Sequence, residues 1–192
     1  INTDKNKSKK TAFLLSYFHD FVKYFNPGYI LIENVPGMSK RSDSPINGFK
    51  ISIESMGYFF ADGVLDCSDF GVPQKRKRYV LIASRVRKVS LPKSKKGKRP
   101  VLRDTIGDYK YFTPISPGTV DYSAKFHSTA KLSLLNIKRI KATPVDGGTR
   151  LAWKDNSELQ LQAYIGKDNC FRDVYARLFW DKPSPTITTK FI

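Results

Sequence analysis

The run Tyr29-Ile30-Leu31-Ile32 constrains this chain most. Four consecutive apolar β-formers, set between Pro27-Gly28 and Glu33-Asn34, predict a strand. A run that is apolar at every position suits a strand buried on both faces, as in a parallel sheet. Upstream, from Thr11, Leu14, Phe18, Phe21, Val22 and Phe25 fall at helical spacing with one broad apolar face. Downstream, Ser44 and Pro45 have the chemistry of a helix cap and first turn. Ile46, Phe49, Ile53 and Met56 keep the helical period, and Gly57 ends it. Tyr58–Leu65 and Tyr79–Ala83 read as two further strands. Helix, strand, helix, strand, loop, strand predicts an α/β sheet with helices packed on it. Three strands make a sheet with a missing neighbour.

After Ser84 the character changes. Arg85–Arg99 holds eight basic residues and no acid, with Pro92 and Gly97, so a domain boundary is placed near residue 90. Beyond Val101 no long periodic pattern holds, except a short helix expected within Lys131–Lys141. Residues 1–10 are polar and lysine-rich and are expected to fray. A first residue Ile1 and an end at Ile192 without a polar tail read as a segment of a longer chain.

Charge limits the partners. Thirty-four Lys and Arg against 17 Asp and Glu leave +17, which favours a polyanion over an inert surface, because each phosphate neutralised releases condensed counterions. Cys67 and Cys170 are too few and too far apart for a disulfide framework, which points to a reducing compartment. The apolar runs are too short to span a bilayer. His19 and His127 form no metal pair, and His19 reads as a helix-surface residue.

Three segments carry chemistry. Glu33-Asn34-Val35-Pro36-Gly37 follows the first strand, at a strand end where α/β sheets place their sites. Alone, Glu33 fits equally well as a helix cap or a lysine partner. Gly71-Val72-Pro73-Gln74-Lys75-Arg76-Lys77-Arg78 leads into the third strand. In extended backbone Gln74, Arg76 and Arg78 project to one side, a donor-rich row suited to a phosphate or a base edge. Alone, it is equally a solvated basic turn. Arg177-Leu178-Phe179-Trp180-Asp181-Lys182-Pro183-Ser184-Pro185-Thr186-Ile187-Thr188-Thr189 says by itself only that a loop is held against a core.

Together and in this order, the three resemble the DNA cytosine-5 methyltransferases. Glu33-Asn34-Val35 resembles the family's Glu-Asn-Val motif, and Gln74-x-Arg76-x-Arg78 its Gln-x-Arg-x-Arg motif. Arg177–Thr189 resembles the segment closing its target recognition domain, and Gly147-Gly148 a stretch within it. The resemblance implies the second half of a Rossmann-like methyltransferase sheet (1–90), followed by a small, irregular, mostly β target recognition domain (91–192).

It also implies a chemistry. Carbon 5 of cytosine is too weak a nucleophile to attack a methyl sulfonium. The family adds a cysteine thiolate to carbon 6, which makes carbon 5 enamine-like. The developing ring charge is relieved at N3. By resemblance, Glu33 holds N3 and the exocyclic amine, Arg78 contacts O2 and steadies Glu33, and Arg76 reaches a phosphate; Asn34 and Gln74 support them. The base must leave the stack first. Lys75, Lys77, Arg85, Arg87, Lys88, Lys95, Lys96, Arg177 and Thr186 are the expected contacts to double-stranded DNA.

The family's Pro-Cys-Gln nucleophile and its glycine-rich S-adenosylmethionine loop have no counterpart in this sequence, and both cysteines read as structural. The cofactor is therefore expected to belong to the whole enzyme, a bacterial restriction-modification methyltransferase, and to bind this chain poorly. The chain alone is expected to be inactive. Two alternatives remain: a non-catalytic DNA-binding subunit of a split methyltransferase, and an RNA-directed relative. The exposed sheet edge is expected to pair with the missing catalytic half or with a second copy.

Overall fold

The computed structural model describes residues 5–186 apart from 41, 95, 96, 109, 124, 125 and 171, and for residues 5–12 the backbone alone. The chain divides into two compact units. One comprises residues 1–69 and 77–95, the other residues 70–76 and 96–192.

The first unit holds helix α1 (Lys5–Phe25), strand β1 (Tyr29–Asn34), a 3-10 turn (Pro36–Ser39), helix α2 (Pro45–Ser55), strand β2 (Phe59–Asp66), a second 3-10 turn (Cys67–Phe70, its last residue in the other unit) and strand β4 (Lys77–Ser84). Strand β3 (Gln74–Lys75) belongs to the second unit. The sheet order is β1-β4-β2, and both outer strands run antiparallel to β4. β1 and β2 are therefore parallel to each other, joined by α2, with β4 between them.

This corrects the expectation of a strand buried on both faces. Ile30 and Ile32 are buried while Tyr29 and Leu31 are exposed, so β1 shows the one-sided burial usual for antiparallel pairing. Register puts Ile30 beside Ala83 and Ile32 beside Leu81. Those four, with Tyr79, face Val22 of α1, Ile46, Phe49 and Ile53 of α2, and Tyr58.

Helix α1 buries a narrower stripe than its sequence offers. Val22 is fully buried and Leu15 and Phe18 pack on the core, but Leu14, Phe21 and Phe25 are exposed. It also reaches back to Lys5, through residues expected to fray. Lysines propagate a helix at little cost once a nucleus exists. His19 is half-buried rather than freely exposed: it hydrogen-bonds Ser52 Oγ and meets Phe49 edge-on, bridging α1 and α2. Ser44 occupies the α2 N-cap but does not cap it, since its hydroxyl donates to the Met38 carbonyl. Gly57, at φ +84°, closes α2: its N–H donates to Glu54 O while Tyr58 N–H donates to Ile53 O.

The second unit contains α3 (Arg103–Ile106), a hairpin of β5 (Val120–Asp121) and β6 (His127–Ser128), α4 (Leu134–Ala142), 3-10 turns at Arg150–Trp153 and Gln162–Tyr164, and β7 (Ser184–Pro185), which pairs in parallel with β3. The expected predominance of strands is not met: each described strand here is two residues long, and helices and turns carry the chain.

Its buried apolar residues include Val101, Trp153 and Leu159, and two arginines, Arg139 and Arg150, are buried as well. Arg139 donates from Nε to Leu159 O (2.8 Å), from Nη2 to Gln160 O (3.1 Å) and from Nη1 to Asn136 Oδ1 (3.1 Å). Arg150 donates to the carbonyls of Lys167 and Cys170 and lies over the Tyr164 ring. Buried cations persist only when hydrogen-bonded, and here backbone carbonyls supply the acceptors. No described helix is long and apolar enough to cross a membrane.

Candidate active site

Antiparallel pairing of β1 with β4 brings the first two sequence markers together. Glu33 lies opposite Val80 and Asn34 opposite Tyr79, so the end of β1 meets the start of β4. There Arg78 Nε lies 2.9 Å from Glu33 Oε1. The Arg78 side chain is 21% exposed and that of Glu33 55%, so the guanidinium is the anchored partner and the carboxylate still faces solvent. Arg78 Nη1 also donates to the Lys77 carbonyl (2.8 Å), which fixes its plane. Asn34 turns its side chain back: Oδ1 accepts from Val35 N–H at 2.8 Å and shapes the exit from the strand. Pro36 then opens the 3-10 turn.

Beneath the pair, Tyr79 is wholly buried and its hydroxyl donates to Asp62 Oδ2 (2.8 Å), which Lys50 Nζ approaches at 3.3 Å. Burial, and then the Asp62 carboxylate, hold the phenol well above its ordinary pKa, so it stays a donor.

In the second unit the second marker also meets the third, a pairing that sequence reading missed. Gln74 and Lys75 pair with Ser184 and Pro185, Ser184 N–H donates to Pro73 O (2.9 Å), and Thr186 Oγ1 donates to Lys75 O (3.3 Å). Burial along Gln74–Arg78 alternates, with Gln74, Arg76 and Arg78 half-buried and Lys75 and Lys77 exposed.

The segment Arg177–Thr186 is the strap of this unit. Arg177 N–H donates to Gly148 O and its Nη2 to Ile140 O near the end of α4; Trp180 N–H donates to Asp146 Oδ1. The carbonyls of Trp180 and Lys182 accept from Arg103 and Leu102. Arg103 forks onto Asp181 (2.9 and 3.1 Å) and covers the Trp180 ring. Those bonds from Arg103 hold the Asp181 carboxyl below its ordinary pKa. A strap fixed at so many points delivers Thr186 to the Gln74–Lys75 turn. The alternation of short polar and Pro residues in the sequence was the available signal, but the partner strand lies far off in sequence.

Arg85, Arg87 and Lys88 are exposed in the loop after β4, where Ser84 Oγ accepts from Val86 and Arg87 N–H and Lys88 lies over Phe59. Lys95 and Lys96 lie outside the described residues. Cys67 is half-buried; Cys170 is exposed, and its thiol donates to the Lys167 carbonyl at 3.8 Å.

A family model of C-5 cytosine-specific DNA methylases matches residues 2–151. The chain belongs to that family. Among its curated relatives, the type II methylase M.HgiDII of Herpetosiphon aurantiacus is 32% identical over 192 residues, covering 98% of this chain and 52% of its own length. The type II methyltransferase M1.BsuMI of Bacillus subtilis is 29% identical, covering 99% and 42%. The chain thus spans about half the length of the curated relatives it matches. A solved E. coli prophage protein described as a DNA modification methyltransferase shares the mixed α/β fold at a TM-score of 0.54 and 20% identity, over 92% of this chain and 57% of that one.

Proposed function

We propose that this chain supplies the cytosine grip and the target-recognition unit of an S-adenosylmethionine-dependent DNA cytosine-5 methyltransferase of a bacterial restriction-modification system. The 2.9 Å Glu33–Arg78 pair at the β1–β4 end carries the reading. Arg78, held by its bond to the Lys77 carbonyl, presents donors that suit the base O2, and Glu33 lies beside it with an open carboxylate that suits N3 and the exocyclic amine. Arg76, and the exposed Lys75, Lys77, Arg85, Arg87 and Lys88, suit phosphates. The second unit enters the major groove, where base pairs present distinct patterns.

S-adenosylmethionine would supply the methyl group. Two cavities among the described residues, of about 120 and 130 Å³, are much smaller than ligand pockets of roughly 300 Å³ or more, so neither fits it. A complementary half would hold it and carry the nucleophile. β1 is an edge of the described sheet, and Phe13, Leu14, Tyr17, Phe21, Tyr24 and Phe25 of α1 expose a broad apolar surface. That surface is a natural seat for the complementary half, or for a second copy when the chain is alone.

The test mixes this chain with a cofactor-binding half from a relative and measures tritiated methyl transfer to carbon 5 of cytosine in DNA. Activity is expected in the mixture only, and Glu33→Gln should lower its rate by about 10²-fold or more. Full activity with Glu33→Gln would refute the grip. Inactivity of every mixture would favour a non-catalytic DNA-binding subunit.

A further inference from the structure

We propose that Gly63 and Leu91 form a latch that holds the connector after β4 on the sheet, and so sets Arg85, Arg87 and Lys88 in a fixed row for the DNA backbone. The inference rests on reading the chain as part of a DNA methyltransferase.

It starts from a glycine where a strand would favour a side chain. Gly63 lies inside β2, which is paired without a break from Phe59 to Asp66, so no bulge calls for it. Its φ is not positive, so the backbone does not call for it either. Leu91 is what excludes a side chain: a Cβ at residue 63 would lie 3.0 Å from Leu91 Cδ1. A glycine inside a strand often marks a close approach of this kind. Leu91 is half-buried there, although Pro92, Lys93 and Ser94 beyond it are exposed.

From Ser84 the chain doubles back. Ser84 lies opposite Tyr29 and Phe59, at the end of the sheet away from Glu33. Arg85 N–H donates to Gly28 O (3.3 Å), and Ser84 Oγ accepts from Val86 N–H (3.1 Å) and Arg87 N–H (3.3 Å). Lys88 Nζ then lies 6.0 Å from the Phe59 ring centroid, and Leu91 reaches Gly63. Phe59 to Gly63 is about 13 Å of strand, so the connector returns along β2. Gly63 and Glu33 both lie opposite Val80, hence in one cross-strand row. The connector therefore comes back to the row of the grip.

Arg85, Arg87 and Lys88 are exposed between two anchors, the Ser84 and Gly28 bonds at one end and Leu91 at the other. Cations on an ordered path lose less conformational entropy when they meet phosphates than cations on a free tether. Neither Gly63 nor Leu91 carries a charge, so both are positioning residues, acting on DNA only through the path they fix.

Three variants separate the latch from ordinary packing. Leu91→Ala removes the contact, Leu91→Met keeps its bulk, and Gly63→Val expels Leu91 while adding a strand-forming residue. Trypsin cleavage after Arg87 and Lys88, followed by mass spectrometry, should be about five- to tenfold faster in Leu91→Ala and Gly63→Val and native-like in Leu91→Met. Cleavage after Lys98, beyond the latch, should be unchanged. The unfolding midpoint of Gly63→Val should be no lower than that of the native chain. On a fluorescein-labelled duplex, both releasing variants should bind about fivefold more weakly at every salt concentration, with an unchanged salt slope because every charge is retained. Unchanged cleavage in Gly63→Val and Leu91→Ala would overturn the latch. Faster cleavage with a midpoint lowered to match would assign the contact to packing and also overturn it. Faster cleavage with equal duplex affinity would overturn the positioning role. If the native chain bound no duplex, the DNA reading would fail together with the positioning role, while the cleavage rates would still decide the latch.

Discussion

Gly147→Ala should destabilise the second unit by about 2–3 kcal/mol, and Phe179 should be the reason for part of it. Gly147 stands at φ +97°, where a side chain costs about 1–2 kcal/mol. A Cβ there would lie 2.0 Å from Phe179 Cε1 and 2.1 Å from Cζ. Ordinary carbon contacts sit near ~3.5–4.0 Å, so the ring must move by about 1.5 Å. Overpacking of this kind costs about 1–3 kcal/mol. Phe179 is 41% exposed and can swing outward, which favours the low end, although Lys182 Nζ sits 3.8 Å from its ring centroid.

Urea unfolding followed by tryptophan fluorescence suits the measurement, because both tryptophans, Trp153 and Trp180, belong to this unit. The decisive design is a double-mutant cycle with Phe179→Ala. Removing the ring should relieve the clash but not the backbone strain, leaving a coupling of about 1 kcal/mol. Additive costs, within about 0.3–0.5 kcal/mol, would refute the ring as the obstacle. A Gly147→Ala cost below about 0.5 kcal/mol would refute the backbone argument as well.

Two further outcomes follow from the same geometry. Tyr79→Phe should cost the first unit about 1–2 kcal/mol, since Asp62 loses a buried donor and keeps Lys50; circular dichroism during unfolding checks it, and an unchanged midpoint would count against the network. Asp181 should titrate below its ordinary value of 3.8 in a carbon-13 carboxyl experiment, and Arg103→Gln should return it upward. Because its folded pKa is depressed, its contribution to stability is complete above 3.8 and is lost as pH falls through the lower folded value.

The sequence by itself determined the elements around the grip. Apolar periodicity located α1, β1, α2, β2 and β4 to within a few residues apart from the N-terminal end of α1, because each is amphipathic or apolar over several turns or repeats. The order of Glu33-Asn34-Val35, Gln74-x-Arg76-x-Arg78 and Arg177–Thr189 carried the family, which the match over residues 2–151 shows.

Tertiary structure decided the rest. That β1 runs antiparallel to β4, and so sets Glu33 against Arg78, depends on pairing between distant segments that leaves no local pattern. The strap from Arg177 to Thr186 was legible only as an anchored loop, because its partners at Gly148, Arg103 and Pro73 are backbone groups, which every residue possesses. No local pattern marks Arg139 and Arg150 for burial, since only folding brings carbonyls around them.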